Sequence, residues 1–556
     1  MLSNAVNEEM QKLSVASWQS AFEKGEVYTR PSIVDFMLKV SGVSDSLLDE
    51  GVRILEPSCG TGEFVVAIAK LLCSKLLLLD TGTEKRACNF KDLVTAFDVS
   101  PESVSVAKQA TKSVLASYFS EDEAVFLVER WFNIDDFLLS PISQTFTHVI
   151  GNPPYVRIES IPQDLLSSYR LAFRTMKERA DLYVPFFEKS LSLLKQNGKL
   201  IFICTDRWTK NRYGAALRDF IAESFNIDLF VDLYGQDAFQ SNVLTYPAIT
   251  QISREPAGRT IVVHNPEVNE ELAAKVATAI RDEKFKFEGQ IVRRDIINGS
   301  EPWLFGTADE LEFISRLERE YPTIEEVGCK VYIGAATGCN GVFVVDESLD
   351  VEVCRKLPMV KASDVRLGML NTPDSFIINT YDDSGVISLD KYPKLKAYLE
   401  KFESKLRARH VAKNSPKSWF KTIDRVYPER AKAEKLLIPD IKSQLTVIYD
   451  EGKYHPNNSL YYICSETWDL RALQGLLLSG IGQLFVEIYS TKVAGGNLRF
   501  QAQHLRRLRL PFWNDVSEIN REKLRVAALD MDTSLAKEAV CCIYRLTEKE
   551  KIILGC

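Results

Sequence analysis

The tetrapeptide Asn152-Pro153-Pro154-Tyr155 carries the clearest chemical signal in this sequence. The Asn152 side-chain oxygen and the Pro153 carbonyl can accept both hydrogens of one planar amino group, which pulls its nitrogen towards tetrahedral geometry and localises the lone pair. Because proline has no N–H and a fixed φ, consecutive prolines form a stiff turn whose carbonyls remain free to accept. Tyr155 adds a flat face for a base, a contact worth roughly 1–3 kcal/mol. These residues suit methylation of an amino or amide nitrogen, and a proline turn that only closes a strand is the alternative.

A loop of small residues stands earlier in the chain, between a predicted strand at 52–55 and a predicted helix at 64–79. Small residues let the backbone approach a ligand closely, and Gly60 and Gly62 permit the conformations that such a turn needs. The fingerprint of dinucleotide sites is incomplete, because Val65 occupies its third glycine position. The loop therefore predicts a ligand site only together with residues on the neighbouring strands.

Carboxylates follow the next two predicted strands. Asp98 ends the second strand, where it can accept hydrogen bonds from both hydroxyls of a ribose. A third apolar run at 124–128, which we interpret as the third strand, leads to Asp135 and Asp136. Either carboxylate can bind the exocyclic amine of an adenine ring, with Phe137 packing on that ring. Since open α/β sheets bind ligands at the carboxyl ends of their strands, these residues predict one common site.

The fourth predicted strand, at 146–151, ends at Asn152. Helices and strands continue to alternate as far as about residue 233, which predicts an α/β fold with a mostly parallel sheet. A final pair of segments, near 237–240 and 248–252, resembles a hairpin. Phe239 lies at its predicted tip, where a phenylalanine is most often part of the core.

The composition bounds the remaining possibilities. A chain of 556 residues with 46% hydrophobic and 26% charged residues predicts a globular protein of two large domains. Its eleven cysteines form no C-x-x-C pair and its five histidines do not cluster, so we expect neither disulfides nor a metal site and a cytoplasmic location. The apolar helix at 64–79 contains Lys70 and Lys75, so we predict no membrane span.

The net charge of −7 argues against indiscriminate binding to polyanions, yet two segments are basic. Residues 401–435 hold eleven Lys or Arg against four Asp or Glu, and residues 499–509 form a second basic cluster. Basic residues interleaved with aromatic and amide side chains can hold phosphates and reach base edges. The candidate DNA-binding residues are Arg407, Arg409, Lys413, Arg506 and Arg507. A solvated surface is the alternative for either cluster.

Together these motifs resemble the γ class of S-adenosylmethionine-dependent amino-methyltransferases of bacterial restriction–modification systems. A G-x-V-x-T-x-P word precedes the glycine loop in that family, and residues 25–31 match it. The resemblance places Thr29 at the methionine carboxylate of the cofactor, Glu56 near its ammonium and Asp98 at its ribose. The cofactor residues that it implies are Thr29, Glu56, Pro57, Ser58, Cys59, Gly60, Gly62, Asp98, Val99, Asp136, Phe137, Asn152 and Pro154. The catalytic residues that it implies are Asn152, Pro153, Tyr155 and Phe239, the last contacting a flipped target base opposite Tyr155.

The resemblance also indicates the substrate. In this family Asn-Pro-Pro-Tyr accompanies methylation of adenine N6, whereas Ser-Pro-Pro variants usually accompany cytosine N4. Enzymes that methylate release-factor glutamine or ribosomal RNA share the tetrapeptide but generally lack the early Thr-x-Pro word and a large recognition domain. We therefore expect site-specific methylation of double-stranded DNA by base flipping and direct in-line transfer. The alternatives are methylation of RNA or protein, and an inactive DNA-specificity subunit.

The resemblance predicts a Rossmann-like methyltransferase domain followed by an α+β DNA target-recognition domain. We place these domains at residues 1–255 and 301–515, joined by a connection at 256–300 and followed by a helical segment at 516–556. The nearest match to a nuclease motif, at residues 439–442, lacks the second acidic residue, and about twenty-five residues precede the first methyltransferase motif. We therefore expect a monomer that does not cut DNA, with a separate cognate restriction endonuclease or defence-system proteins as candidate partners.

Overall fold

The computed structural model describes residues 27–79, 87–233, 238–240, 247–282, 284–287, 290–366, 369–371, 373–490 and 497–556. The chain divides into two compact units, Met1–Phe305 and Gly306–Cys556. Residues 256–300, which we expected to connect two domains, lie in the first unit and add two strands and a helix to it. The reason is the short apolar run at 261–263, which is buried in the sheet although its sequence surroundings are charged.

The first unit is built on one nine-stranded sheet with the order β3-β2-β1-β4-β5-β7-β6-β8-β9. Its strands are β1 Ile54–Glu56, β2 Val94–Asp98, β3 Phe132–Ile134, β4 Phe146–Gly151, β5 Leu194–Thr205, β6 Asn226–Asp232, β7 Pro247–Ser253, β8 Thr260–His264 and β9 Ile291–Arg294. Neighbouring strands from β3 to β5 run parallel, as do β6 and β8. Strand β7 is antiparallel to both β5 and β6, and β9 is antiparallel to β8. The predicted mostly parallel α/β sheet is confirmed.

Helices cover both faces of this sheet. They are α1 Pro31–Val40, α2 Val43–Ser46, α3 Glu63–Leu78, α4 Pro101–Leu115, α5 Glu121–Trp131, α6 Gln163–Ala172, α7 Tyr183–Ser192, α8 Arg207–Lys210, α9 Ala215–Ser224 and α10 Glu270–Arg281. Successive side chains of a strand point to opposite faces. Ile54 and Leu55 of β1 accordingly belong to two different apolar layers, as do Ile203 and Phe202 of β5. The two layers hold the carboxyl ends of the central strands in place.

The prediction that residues 124–128 form the third strand is wrong. They lie within helix α5, and the third strand is β3, which begins directly after this helix. Ser120 and Glu123 form a capping box at the start of α5, with the serine side chain accepting from the Glu123 N–H. The buried residues of the helix recur at helical spacing, namely Ala124, Leu127, Val128 and Trp131. The cap and this spacing outweigh the apolar appearance of the run.

The predicted hairpin is also different in the structure. Asp237 lies outside the described residues, and strand β7 pairs with β5 and β6. Phe239 instead forms an isolated antiparallel bridge with Thr29. The Gln240 N–H donates to the Tyr28 carbonyl over 2.9 Å, and the Arg30 N–H donates to the Ala238 carbonyl over 3.0 Å. This pairing brings the early Thr-x-Pro segment beside Phe239.

The second unit is an α+β structure, as predicted. Its two four-stranded sheets have the orders β10-β22-β18-β20 and β11-β15-β12-β21, and three two-stranded sheets accompany them. The strands are β10 Cys329–Ile333, β11 Val344–Asp346, β12 Lys356–Val360, β13 Val365–Arg366, β14 Met369–Leu370, β15 Ser375–Ile378, β16 Tyr381–Asp382, β17 Gly385–Val386, β18 Lys435–Pro439, β19 Ile441–Lys442, β20 Ile448–Asp450, β21 His455–Pro456, β22 Leu460–Ser465 and β23 Leu498–Arg499.

The helices of the second unit are mostly short, and three of them close the chain. They are α11 Ala308–Glu320, α12 Asn340–Phe343, α13 Pro393–Glu400, α14 Glu403–Arg407, α15 His410–Lys413, α16 Pro428–Lys432, α17 Leu470–Leu478, α18 Ile481–Tyr489, α19 Ala502–Leu505, α20 Glu518–Asp530, α21 Thr533–Ile543 and α22 Glu548–Leu554. In the described part of the chain no single helix is long and apolar enough to cross a membrane, and the bent pair α17–α18 meets the length and composition criteria only as a pair.

Candidate active site

One cleft of the first unit lies at the carboxyl ends of β1, β2, β3 and β4, and it gathers most of the predicted site. All of the predicted cofactor residues except Glu56 and Gly62 line it. The predicted residues in the lining are Thr29, Pro57, Ser58, Cys59, Gly60, Asp98, Val99, Asp136, Phe137, Asn152 and Pro154. The motifs that are far apart in the sequence therefore form one site.

The glycine loop connects β1 to α3 along the wall of this cleft. Gly60 has a φ of +49°, and its N–H donates to Asp98 Oδ2 over 2.9 Å. The other Asp98 oxygen accepts the Ser100 N–H over 2.9 Å, so both oxygens of this carboxylate are fixed. Gly62 instead serves packing, because a Cβ there would lie 2.9 Å from the Ala107 Cβ. The loop is thus held against β2 and against helix α4.

Glu56 is fully buried behind the cleft lining. Its Oε1 accepts the Ser58 N–H over 3.4 Å, and its Oε2 has no hydrogen-bond partner within the described ranges. Burial raises the pKa of Glu56 well above its ordinary value, and the nearby carboxylates of Glu63 and Asp98 add to that rise. A Cβ at position 151 would lie 2.3 Å from Oε1, so only Gly151 fits there. An unpaired buried carboxyl is suited to a cationic partner.

Asp135 and Asp136 both line the cleft. Asp136 is only 3% exposed, and its oxygens accept the Leu138 N–H over 2.9 Å and the Tyr169 hydroxyl over 2.6 Å. Asp135 is half-buried and accepts the Asp136 N–H over 2.8 Å. Burial raises the pKa of Asp135. Phe137 packs between Phe97 and Phe186, with centroid distances of 5.8 Å and 5.3 Å.

Asn152 follows β4 and projects towards the early segment of the chain. Its Nδ2 donates to the Val27 carbonyl over 2.8 Å and to Thr29 Oγ1 over 3.3 Å. Its Oδ1 is buried and has no hydrogen-bond partner among the residues that the structure describes. Thr29 is 2% exposed, and Gly25 and Glu26 of the same sequence word lie outside the described residues. The Asn152 side chain is therefore oriented with one unused acceptor.

Tyr155 and Phe239 meet beside the lined cleft. The Tyr155 hydroxyl donates to the Ile203 carbonyl over 3.1 Å, and burial raises the pKa of this phenol well above its ordinary value. The two rings lie edge to face, with centroids 6.1 Å apart and planes at 71°. Two rings that sandwich a third lie parallel and roughly 7 Å apart. The observed edge-to-face arrangement therefore differs from that of two rings that sandwich a third. Pro153 is buried, and its sequence neighbours Asn152 and Pro154 line the cleft.

Several lining residues were not predicted as cofactor ligands. They are Val27, Tyr28, Glu63, Phe64, Asp135, Tyr169, Leu182 and Phe186, of which Asp135 is the alternative to Asp136 that the sequence offers. Val27 and Tyr28 are part of the G-x-V-x-T-x-P word, and Glu63 directly follows the glycine loop, so sequence proximity was an available signal. For Tyr169 the sequence offers no such signal. It lies in helix α6, outside every motif, and reaches the cleft only because of the way that helix packs.

The predicted DNA-binding residues of the second unit differ in their availability. The Arg409 guanidinium donates to four backbone carbonyls, those of Thr337, Leu406, Trp419 and Lys421. Arg407 is exposed and pairs with Glu403 over 2.7 Å, and Lys413 is exposed. Arg506 pairs with Glu325 over 3.0 Å, and Arg507 lies over the Tyr489 ring at 4.2 Å. Arg409 is therefore committed to the fold, whereas Lys413 faces solvent.

Comparison with known proteins finds one family match in each of the two compact units. Residues 65–239 match the Eco57I restriction-modification methylase family, and residues 386–510 match the TaqI-like C-terminal specificity domain. The solved structure of the type IIL restriction-modification enzyme MmeI in complex with DNA is similar with a TM-score of 0.61 at 12% identity. The match covers 94% of this chain and 75% of that chain.

Two curated relatives extend the likeness to nearly the full length. The type II methyltransferase M.XhoI of Xanthomonas vasicola is 42% identical over 541 residues, which is 96% of this chain and 99% of that protein. The type II methyltransferase M.PaeR7I of Pseudomonas aeruginosa is 42% identical over 538 residues, which is 96% of this chain and 93% of that protein. The chain accordingly belongs to the type II methyltransferases of restriction–modification systems, and it methylates DNA at specific sites.

Proposed function

We propose that this DNA methyltransferase transfers a methyl group from S-adenosylmethionine to N6 of a target adenine in double-stranded DNA. The observation that carries the proposal is the unused, buried Asn152 Oδ1, held in place through the amide nitrogen of the same side chain. Adenine N6 is a planar amino group that needs such an acceptor. The tetrapeptide Asn-Pro-Pro-Tyr, which accompanies adenine rather than cytosine in the family that the sequence resembles, supports the choice of base.

The residues of the cleft fit S-adenosylmethionine. The unpaired Glu56 Oε2 is buried and suits an ammonium group, while Thr29 has a hydroxyl in the lining that suits a carboxylate. Asp98 would hold the ribose hydroxyls, and Asp136 with Phe137 would hold the adenine ring, with Asp135 as the alternative carboxylate. When bound, the cofactor supplies an electrophilic methyl group. A buried polar atom without a partner, here Glu56 Oε2, favours a polar ligand over an apolar one.

The chain's own residues then act on the target nitrogen. Asn152 Oδ1 and the Pro153 carbonyl accept its two hydrogens and localise its lone pair towards the methyl group. Because this activates the amino nitrogen itself, transfer is direct and in line, without a covalent enzyme intermediate: the N–C bond forms as the methyl–sulfur bond of the cofactor breaks, and the amino group loses one proton to water. Preorganised polar groups of this kind are worth most in a site that excludes water.

A target base inside a duplex cannot reach Asn152. It must be flipped out of the stack, at a cost of a few kcal/mol. Tyr155 would recover part of that cost by stacking on the base, and Phe239 would contact its edge. Since the two rings are edge to face, we propose one stacking face rather than a sandwich.

We further propose that the second unit reads the DNA sequence. The match of residues 386–510 to the TaqI-like specificity domain supports this role. Base contacts discriminate sites by roughly 1–3 kcal/mol each, whereas phosphate contacts add affinity that falls with salt. The proposed partner is double-stranded DNA in the bacterial cytoplasm, with a monomeric enzyme and a separate cognate endonuclease.

Transfer of a radiolabelled methyl group tests the substrate class. The full chain is incubated with labelled S-adenosylmethionine and, in separate reactions, with duplex DNA, structured RNA and a cell protein extract. We expect label on duplex DNA alone. Label on RNA or protein but not on DNA would contradict the proposal, and no label on any substrate would favour an inactive specificity subunit.

A further inference from the structure

The loop at residues 135–140, between β3 and β4, is held by two side chains from later helices. Tyr169 of α6 donates its hydroxyl to Asp136 Oδ2 over 2.6 Å. Lys189 of α7 donates to the carbonyls of Phe137, Leu138 and Ser140 over 2.5 Å, 3.0 Å and 2.6 Å. The ligand-facing side chains of this loop are therefore oriented from outside the loop.

The contact between Tyr169 and Asp136 is dry. Tyr169 is 1% exposed and Asp136 is 3% exposed, so water does not compete for this hydrogen bond. Hydrogen bonds to charged groups are shorter and stronger than those between neutral groups. The Leu138 N–H fixes the other oxygen of the same carboxylate over 2.9 Å. With both oxygens engaged, the plane of the Asp136 carboxylate has one orientation relative to the cleft.

Lys189 acts on the main chain of the loop. An ammonium group has three donors, and here it faces three carbonyls within four consecutive residues. It also lies 5.0 Å from the centroid of the Phe137 ring. Burial lowers the pKa of Lys189 to about 8, although Asp136 and Asp135 oppose this shift. The cation thus fixes the backbone that presents both the carboxylate and the aromatic ring.

We infer that Tyr169 and Lys189 are positioning residues that set the cleft's selectivity for a 6-aminopurine nucleoside. A carboxylate oxygen only accepts hydrogen bonds, so a rigidly held one favours a ring amino group over a ring carbonyl at the same position. Tyr169 keeps Asp136 in the orientation that makes this distinction, and Lys189 keeps the loop in place beneath it. This inference rests on the proposed function, in which the cleft binds the adenine of S-adenosylmethionine.

Calorimetric binding of two ligands tests the inference without measuring activity. S-Adenosylhomocysteine carries the 6-amino group, and S-inosylhomocysteine carries a carbonyl in its place. We expect the full-length protein to bind the adenosyl ligand more tightly than the inosyl ligand. Tyr169→Phe should lower the affinity for the adenosyl ligand roughly tenfold or more, with a much smaller change in affinity for the inosyl ligand. The selectivity ratio therefore falls. Tyr183→Phe is the matched control, because it removes a buried hydroxyl that pairs with Tyr213 over 2.8 Å in the same unit.

The Lys189 variants give a second measurement. Lys189→Met removes the ammonium group and should lower the affinity for the adenosyl ligand. Lys189→Arg keeps several donors and should therefore retain part of that affinity. Folding of each variant is checked by thermal unfolding without ligand, and the Lys189 pair decides the question if Tyr169→Phe does not fold.

The outcomes separate two failures. Wild-type selectivity in folded Tyr169→Phe, together with full affinity in Lys189→Met, would overturn the inference alone. Failure of the wild-type protein to bind S-adenosylhomocysteine would instead overturn the proposed function.

Discussion

Asn152 donates its side-chain amide to the carbonyl of Val27 over 2.8 Å, across 125 positions of sequence. Only the nitrogen of an amide can donate to a carbonyl, so this contact determines which atom of Asn152 remains available. The remaining atom, Oδ1, is buried and has no partner in the described part of the chain. The early segment of the protein therefore orients the acceptor that the tetrapeptide supplies.

Asn152 and Asp98 should fail in different ways. Asn152→Ala removes the acceptor for the target amino group, so we expect kcat to fall roughly 10²–10³-fold while cofactor affinity is largely kept. Asp98→Ala removes the acceptor of the Gly60 N–H and the proposed ribose contact, so cofactor affinity should fall first. Calorimetry with S-adenosylhomocysteine and single-turnover kinetics measure the two effects. Equal losses of cofactor affinity in the two variants would contradict this division of roles.

Glu56 should make cofactor binding depend on pH. Its pKa is raised well above 4.5 by burial, so in the free protein it is protonated at a pH where an ordinary glutamate is ionised. Pairing with an ammonium group favours the ionised form. Affinity for S-adenosylhomocysteine should therefore rise with pH towards the raised pKa of Glu56 in the free protein and level off above it.

The same shift affects the stability of the ligand-free protein with the opposite sign. The folded state holds the Glu56 proton more tightly than the unfolded state, so this residue's contribution to stability falls as pH rises through that range. Glu56→Gln should bind more weakly, with a flatter pH profile, and should lose this part of the pH dependence of unfolding. An unchanged binding profile in Glu56→Gln would assign the pH dependence to another group.

Tyr155 should matter through its ring more than through its hydroxyl. Tyr155→Ala loses a stacking face worth roughly 1–3 kcal/mol, so a duplex with 2-aminopurine at the target position should brighten less on binding. Tyr155→Phe keeps the face and loses only the hydrogen bond to the Ile203 carbonyl, so it should retain most of the signal. If the phenylalanine variant lost as much fluorescence as the alanine variant, stacking would not be the role of this residue.

Arg409 and Arg407 should separate folding from DNA binding. Arg409→Ala removes donors from four carbonyls and should destabilise the second unit by roughly 1.5–3 kcal/mol. Arg407→Glu reverses an exposed charge that is paired at the surface with Glu403, so it should weaken binding to all duplexes and flatten its salt dependence, with a smaller loss of stability than Arg409→Ala. Lys549→Glu, an exposed charge reversal in α22, serves as the control. Equal effects of Arg407→Glu and Lys549→Glu on affinity would place the DNA-binding surface elsewhere.

Much of the site was predictable, because its residues directly follow strands. The turns after β1, β2 and β4 were recognisable because short apolar runs precede the Gly60 loop, Asp98 and Asn152. Parallel strands bring such turns to one edge, so local patterns were sufficient to predict the cleft. The orientation of the Asn152 side chain towards Val27 was not predictable, because its partner is a backbone carbonyl, which every residue type has.

The errors had physical causes of a different kind. Residues 124–128 are apolar like a strand, but the Ser120 cap starts a helix before them. Residues 256–300 are rich in charge, yet the short run in β8 finds a parallel partner in β6. Arginine is a common phosphate ligand, but the Arg409 side chain donates its hydrogen bonds to backbone carbonyls of the protein. In the second and third cases contacts distant in sequence outweighed the local pattern, whereas in the first a local cap at Ser120 did so.

The identity of the methylated base is the decisive measurement for the proposed transfer to adenine N6. Duplex DNA containing recognition sites, treated with the protein and S-adenosylmethionine, is digested to nucleosides and analysed by mass spectrometry. We expect N6-methyladenine in the wild-type reaction and far less of it in the same time with Asn152→Ala. N4-methylcytosine as the product would contradict this expectation.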